Sequence, residues 1–279
     1  ERVQSVSPSS NEGRTVYSDR RGVWHSGRLP VGRSRTLSVH LVTLFGLAWV
    51  EGFALAASFP LPTPTRPELF PLTHPSREGT VVAWGWNRDG QSSVPENLGK
   101  AVGVAAGIYH SVAIKPDGRL AAWGWNDLNR RAIPENATNM VAVAAGDYHT
   151  MALTADGQVL AWGFNINGQT DVPEGLVRAV GISAGSYHSV ALRVDGTVEA
   201  WGLNSDGRAN VPAGLSNVVQ ISAGDTHTLA LRNDGTVVAW GSNVYGESHP
   251  PGGLANVVAV AAGIYHSVAL RNDGRVVAW

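Results

Sequence analysis

Cysteine is absent from the 279 residues, and methionine occurs only at Met140 and Met151. Without cysteine there is no disulfide, no thiolate metal centre and no thiol nucleophile. That absence is compatible with export and does not prove it. Charge is also scarce: Asp, Glu, Lys and Arg make up 15% of the chain, and the formal net charge is −1. Residues 77–279 hold 13 basic against 17 acidic residues, about −4, with Lys100 and Lys115 as their only lysines. A nucleic-acid-binding chain carries a basic stripe. None is visible here, so no nucleic-acid partner is expected. No HExxH, GxSxG, calcium-loop or phosphate-binding glycine pattern occurs either. The sequence therefore predicts no enzyme, no cofactor and no metal.

What the chain has instead is glycine, 33 residues of it, with 15 prolines and 43% hydrophobic residues. This profile suits short strands joined by tight turns. It is organised as a 39-residue repeat. Trp84, Trp123, Trp162, Trp201, Trp240 and Trp279 recur at that constant interval. So do Gly107, Gly146, Gly185, Gly224 and Gly263, and so do His110, His149, His188, His227 and His266. No insertion or deletion disturbs the register.

One unit, residues 217–255, reads NVVQISAGDTHTLALRNDGTVVAWGSNVYGESHPPGGLA. VVQISA is apolar and β-branched, THTLALR alternates, and TVVAW is a third apolar run. Between the last two, Asp234-Gly235 offers positive φ for a two-residue hairpin turn. A loop, a short fourth strand and a Pro-Gly crossing complete the unit. Four short antiparallel strands in about 40 residues, repeated in tandem, predict the blade of a β-propeller in an all-β protein. Small residues in AAG and SAG fit an innermost strand, and one tryptophan per unit fits the wedge between sheets. A parallel β-helix is the competing architecture, but its rungs are shorter and need no hairpin Asp-Gly in each unit.

The pattern VVAWG.N..GQ..VP.GL..VVAVAAG.YHSVALR.DG resembles the repeat of the regulator-of-chromosome-condensation family over residues 79–279. Its insertion-free length is similar to a compact bacterial branch of that family, which includes a secreted propeller-type β-lactamase inhibitor. The resemblance implies a seven-bladed ring. With six tryptophans and five full repeat steps, the chain is expected to be a fragment of such a ring, truncated at its C-terminus, with five to six blades present. Fold alone does not fix function.

Residues 1–76 carry no repeat. Residues 1–31 are expected to be a non-native or disordered leader. Residues 32–57 place two arginines before an apolar core and then Ala54-Leu55-Ala56, the layout of a secretory signal. The apolar core is about ten residues long, short for a membrane span, and an N-terminal anchor is the alternative. Residues 58–76 read as a Pro-rich linker. The expected location is secreted or at the cell surface.

His110-Ser111, His188-Ser189 and His266-Ser267 are neighbours in sequence. Neighbours on a strand point to opposite faces, so they form no nucleophile–base dyad. The histidine, tryptophan and glycine columns are read as structural. Function is sought where the repeat varies. In an up-and-down blade, the first-to-second and third-to-fourth strand loops leave on one face, and both vary here. That face holds Trp86, Arg88, Tyr109, Trp125, Tyr148, Phe164, Tyr187, Tyr245 and Tyr265, and aromatic residues on a rigid frame are interface anchors. The tyrosines can equally pack between blades. The sequence predicts a non-enzymatic protein-binding scaffold with an unknown partner. An inhibitor of a secreted enzyme such as a β-lactamase is one alternative. A guanine-nucleotide-exchange or chromatin role, implied by the family's nuclear members, is the other.

Overall fold

The computed structural model describes residues 78–279, together with the backbone of four short strands before them: Val6–Ser7, Thr15–Ser18, Trp24–Gly27 and Leu47–Val50. The first three pair antiparallel in a small sheet within a separate unit. Leu47–Val50 pairs antiparallel with Gly79–Trp84. Apart from these strands, the expectations for 1–31, 32–57 and 58–76 lie outside the described residues. Among the described residues, no helix is long and apolar enough to cross a membrane.

From Gly103 onward, five sheets follow one another, each of three antiparallel strands in sequence order. The first comprises Gly103–Ala106, His110–Ile114 and Leu120–Gly124. The second comprises Met140–Ala145, His149–Thr154 and Val159–Gly163. The third comprises Ala179–Ala184, His188–Arg193 and Val198–Gly202. The fourth comprises Val218–Ala223, His227–Arg232 and Val237–Gly241, and the fifth Val257–Ala262, Ser267–Arg271 and Val276–Ala278. The first strands of neighbouring sheets lie side by side, and the middle strands are buried along most of their length. That burial needs cover on both faces, and the neighbouring sheets supply it. The architecture is the expected all-β propeller, with five three-stranded blades preceded by a further sheet in which Gly79–Trp84 lies between Leu47–Val50 and Lys100–Ala101.

Three of the tryptophans occupy the wedge between blades. Trp162 packs with Val112 and Ile114 of the preceding blade, Trp201 with Met151 and Leu153, and Trp240 with Val190 and Leu192. Each buried ring contributes roughly 2–3 kcal/mol. Blade-to-blade backbone bonds run beside them. Met140 N–H donates to Gly118 O at 3.0 Å and Ala179 N–H to Gly157 O at 3.0 Å.

Two local expectations need correction. The fourth run of each blade forms no ladder. Pro134, Pro173, Pro212 and Pro251 have no N–H to give one, and the segment is held by local turns such as Leu176 N–H to Pro173 O at 3.1 Å. The Asp-Gly hairpin is not a two-residue turn with two positive φ angles. Gly235 alone is left-handed, with φ +78°. Its N–H donates to Arg232 O at 3.0 Å and Arg232 N–H to Thr236 O at 2.9 Å, a type I turn closed by a glycine bulge. Asp234 instead uses its side chain: Oδ1 accepts from Thr236 N–H at 3.0 Å.

Candidate recognition face

The glycine and histidine columns set the frame on which the variable loops stand. A Cβ at Gly146 would lie 2.2 Å from Gly185 O, and one at Gly185 would lie 2.3 Å from Gly224 O. Neighbouring backbones approach there too closely for any side chain. Three residues on, each histidine crosses to the next blade. His110 Nε2 meets Thr150 Oγ1 at 2.7 Å, His149 Nε2 meets Ser189 Oγ at 2.8 Å, His188 Nε2 meets Thr228 Oγ1 at 2.9 Å, and His227 Nε2 meets Ser267 Oγ at 2.8 Å. The hydroxyl then donates to a main-chain carbonyl: Ser189 Oγ to Gln169 O at 2.7 Å, Ser267 Oγ to Glu247 O at 2.7 Å. Trp201 Nε1 donates to the same Gln169 O at 3.0 Å, and Trp240 Nε1 to Arg208 O at 2.9 Å.

Because the hydroxyl proton is committed to a carbonyl, the histidine must donate from Nε2. Nδ1 is then the unprotonated nitrogen, and it has no partner in His110, His149, His188 or His227. These rings are neutral. Burial pushes His149 and His188 down to about 3, and His110 and His227 down to about 4. His149 and Ser189 have the atoms of a nucleophile–base pair, but both are fully buried and the hydroxyl points at backbone. The bond is a seam between blades and offers no exposed nucleophile. His266 differs in being exposed.

The two variable loop sets lie together. Trp125 N–H donates to Tyr109 O at 2.8 Å, Phe164 N–H to Tyr148 O at 2.9 Å, Leu203 N–H to Tyr187 O at 2.8 Å and Ser242 N–H to Thr226 O at 3.0 Å. The glycine after each tryptophan permits this approach: at Gly124, φ is +100° and a Cβ would lie 2.5 Å from Tyr109 O. The rings that follow form a ladder across three blades. Trp125 meets Tyr109 edge-on at 5.0 Å, Tyr109 lies 6.2 Å from Tyr148, and Tyr148 stacks on Tyr187 at 4.7 Å. Phe164 leans on both Tyr148 and Tyr187. A separate pair, Tyr245 and Tyr265, meets at 5.2 Å and is 68% and 57% exposed. Trp86, 54% exposed, and Arg88 stand in the exposed loop after Gly79–Trp84.

Two features of this face were not singled out from sequence. The ends of the inner strands surround an axial cavity of about 330 Å³ whose lining includes Asp147, Ser186, Asp225 and His266. Ser186 donates to the Asp147 carboxylate, while burial pushes that carboxyl above its ordinary value. Among the described residues, no three ligating side chains converge for a metal ion. The second feature is Arg130, fully buried, with its guanidinium carbon 4.6 Å from the Trp125 ring centre, 5.3 Å from Tyr148 and 5.4 Å from Tyr109. It shares a column with Gln91, Gln169, Arg208 and Glu247, whose polarity in a buried place was the signal available.

A radial set of small antiparallel sheets, with its variable loops gathered on one face, defines a tandem-repeat β-propeller. The Regulator of chromosome condensation (RCC1) repeat matches residues 101–130, 140–169, 179–208, 218–247 and 257–279, and the chain belongs to that family. Among solved structures, it is similar to yeast RCC1 (Prp20) in its complex with Kap60, with a TM-score of 0.59 and 24% identity over 72% of this chain and 67% of that one. It is similar also to the ectodomain of the Physcomitrella patens receptor kinase CR4, with a TM-score of 0.62 and 23% identity over 71% of this chain and 57% of that one. Human WBSCR16 gives a TM-score of 0.59 at 20% identity over 72% of this chain and 71% of that one. At these identities the likeness is one of fold. The chain spans little more than half of the CR4 ectodomain. No curated protein matches.

Proposed function

We propose that this protein is a non-catalytic scaffold that binds a partner protein through its aromatic loop face. The observation that carries the reading is the ring ladder from Trp125 through Tyr109 and Tyr148 to Tyr187, continued by the exposed pair Tyr245 and Tyr265. Rigid, half-exposed aromatic rings bury much area on association at little cost in side-chain entropy. The hairpin turns at the other end of the blades are uniform Asp-Gly bends with nothing comparable. The yeast relative Prp20p is described by its binding to Gsp1p and histones, which illustrates protein binding on this fold without naming a partner here. Export through the segment 32–57 belongs to the same proposal, and so does the narrower reading of an enzyme inhibitor.

Site-specific photo-crosslinking in the cells that make the protein tests this. A benzophenone side chain at Trp86, Tyr245 or Tyr265 should give protein adducts, and one at Asp195 or Asp234 in the hairpin turns should not. Adducts from the turns alone, or none from either set, overturn it. N-terminal sequencing of the mature protein tests export: a start just after Ala56 or Ala57 is expected, and peptides from residues 1–31 in the mature protein would contradict it.

A further inference from the structure

Arg130 is a buried cation whose donors go nowhere. Its Nε, Nη1 and Nη2 all lack a hydrogen-bond partner, although the residue is fully buried. The three rings around it stabilise positive charge, but a ring face accepts no guanidinium N–H bond of ordinary strength. Buried donors without acceptors are rare and costly.

The protein contains its own control. Arg208 occupies the equivalent place two repeats later, and every side of its guanidinium is met. Nε donates to Asp206 Oδ1 at 2.6 Å, Nη2 to Asp206 Oδ2 at 2.5 Å, and Nη1 to Asp225 O at 2.8 Å. A guanidinium in this socket therefore takes a forked carboxylate, the pairing its planar geometry favours. In the Arg130 blade, the residue two positions earlier is Leu128 instead of an aspartate. The loop is also rebuilt. Gly90, Gly168, Gly207 and Gly246 precede the column elsewhere with positive φ. Here Leu128 and Asn129 themselves adopt φ +67° and +58°. Leu128 is 45% exposed, so the side chain standing in the aspartate's position is itself at the surface of the loop face, above the buried guanidinium.

We propose that Arg130 is a socket for a carboxylate side chain, Asp or Glu, of the partner protein, which fills the place that Asp206 fills at Arg208. The inference rests on the reading of this face as a binding surface and names the chemistry of what binds. The rings of Tyr109, Trp125 and Tyr148 receive the apolar neighbours of that acid. A single carboxylate suits the site better than a phosphate. Asp127 and Asp147 lie close enough to bear on the Arg130 charge, so a dianion meets repulsion there.

The test uses the full chain labelled with ¹⁵N, with the Arg130 Nε–H resonance assigned by its loss in Arg130→Gln. The probes are the blocked peptide acetyl-Leu-Phe-Glu-Phe-Leu-amide, its Gln counterpart, and the Gln peptide with a free C-terminal carboxylate. The Glu peptide should move the Arg130 resonance and bind about tenfold or more tightly than the blocked Gln peptide. Leu128→Asp should move the same resonance without any peptide and abolish the Glu peptide's advantage. Several outcomes overturn the socket. A resonance still to both the Glu peptide and Leu128→Asp does so. Loop-face shifts that are equal with Glu and Gln peptides, while Arg130 stays still, also do so and leave the reading of the face intact. A response only to the free C-terminus reassigns the source and sinks the side-chain proposal. If no peptide moves any loop-face resonance, the socket and the reading of the face fail together.

Discussion

His149 Nε2 lies 2.8 Å from Ser189 Oγ, one blade away, and both groups are sealed from water. The same contact recurs at three other blade junctions. Removing the acceptor strands the donor. Ser189→Ala leaves the His149 N–H unsatisfied and should cost about 1–3 kcal/mol, the usual penalty for such a group. Denaturant unfolding measures it directly. A loss within about 0.5 kcal/mol, the range of a surface change, would mean the seam is held by packing alone.

These histidines also set a pH dependence. Their pKa values are depressed from about 6.5 to between about 3 and 4, so the folded state holds them neutral. Unfolding lets each take up a proton below pH 6.5. The stability they contribute is therefore complete above that pH and is lost as the pH falls through 6.5 toward 3–4. At pH 5, each should cost about 2 kcal/mol relative to pH 7. Thermal unfolding between pH 7 and pH 4 should show a steep fall that begins near pH 6.5, above the carboxylate range. A flat profile down to pH 5 would mean that the rings are not held neutral.

Glycine at the inner strand ends is a steric requirement. A Cβ at Gly185 meets Gly224 O at 2.3 Å and His188 Cε1 at 2.4 Å, whereas one at Gly252 meets nothing within 4 Å. Gly185→Ala should lower stability by several kcal/mol or prevent folding, as overpacking against backbone does. Gly252→Ala should stay within about 0.5 kcal/mol. Melting temperatures of the pair decide the point, and equal values would refute the close approach of the blades.

The two tryptophans singled out from sequence should behave differently. Trp86 is 54% exposed, and Trp86→Ala should leave the melting temperature nearly unchanged. Trp125 is half-buried, 5.0 Å from Tyr109 and 4.6 Å from the Arg130 guanidinium. Trp125→Ala removes one wall of a buried cation's cage and should cost about 2 kcal/mol or more. Similar melting temperatures for both variants would show that the cage does not support the fold.

The blade was legible because its obligations recur. Glycine at 107, 146, 185 and 224 and the tryptophans answer constraints that every blade shares, so a column at the repeat interval exposes them. The short fourth strand expected after each loop does not form, because that stretch carries the proline column and closes on local turns. The seam was hidden for a different reason. His-Ser and His-Thr neighbours point to opposite sides of a strand, which rules out a dyad within the pair. The same geometry turns the histidine toward the next blade and the hydroxyl toward the one before. That pairing joins one repeat to the next and appears only when the blades are stacked. Arg130 was missed because DLNR reads as one more loop variant until Asp206 and Arg208 show what its place normally holds.

The His-to-hydroxyl seam has an evolutionary consequence. Each unit carries a donor on its leading side and an acceptor on its trailing side, so one unit is compatible with any copy of itself. A duplication or loss of one whole unit creates or removes a blade together with a matching junction, and no compensating substitution is required. Tandem genes change length in such whole steps by unequal recombination. A lineage built on this seam can vary its number of blades while its loops diverge independently.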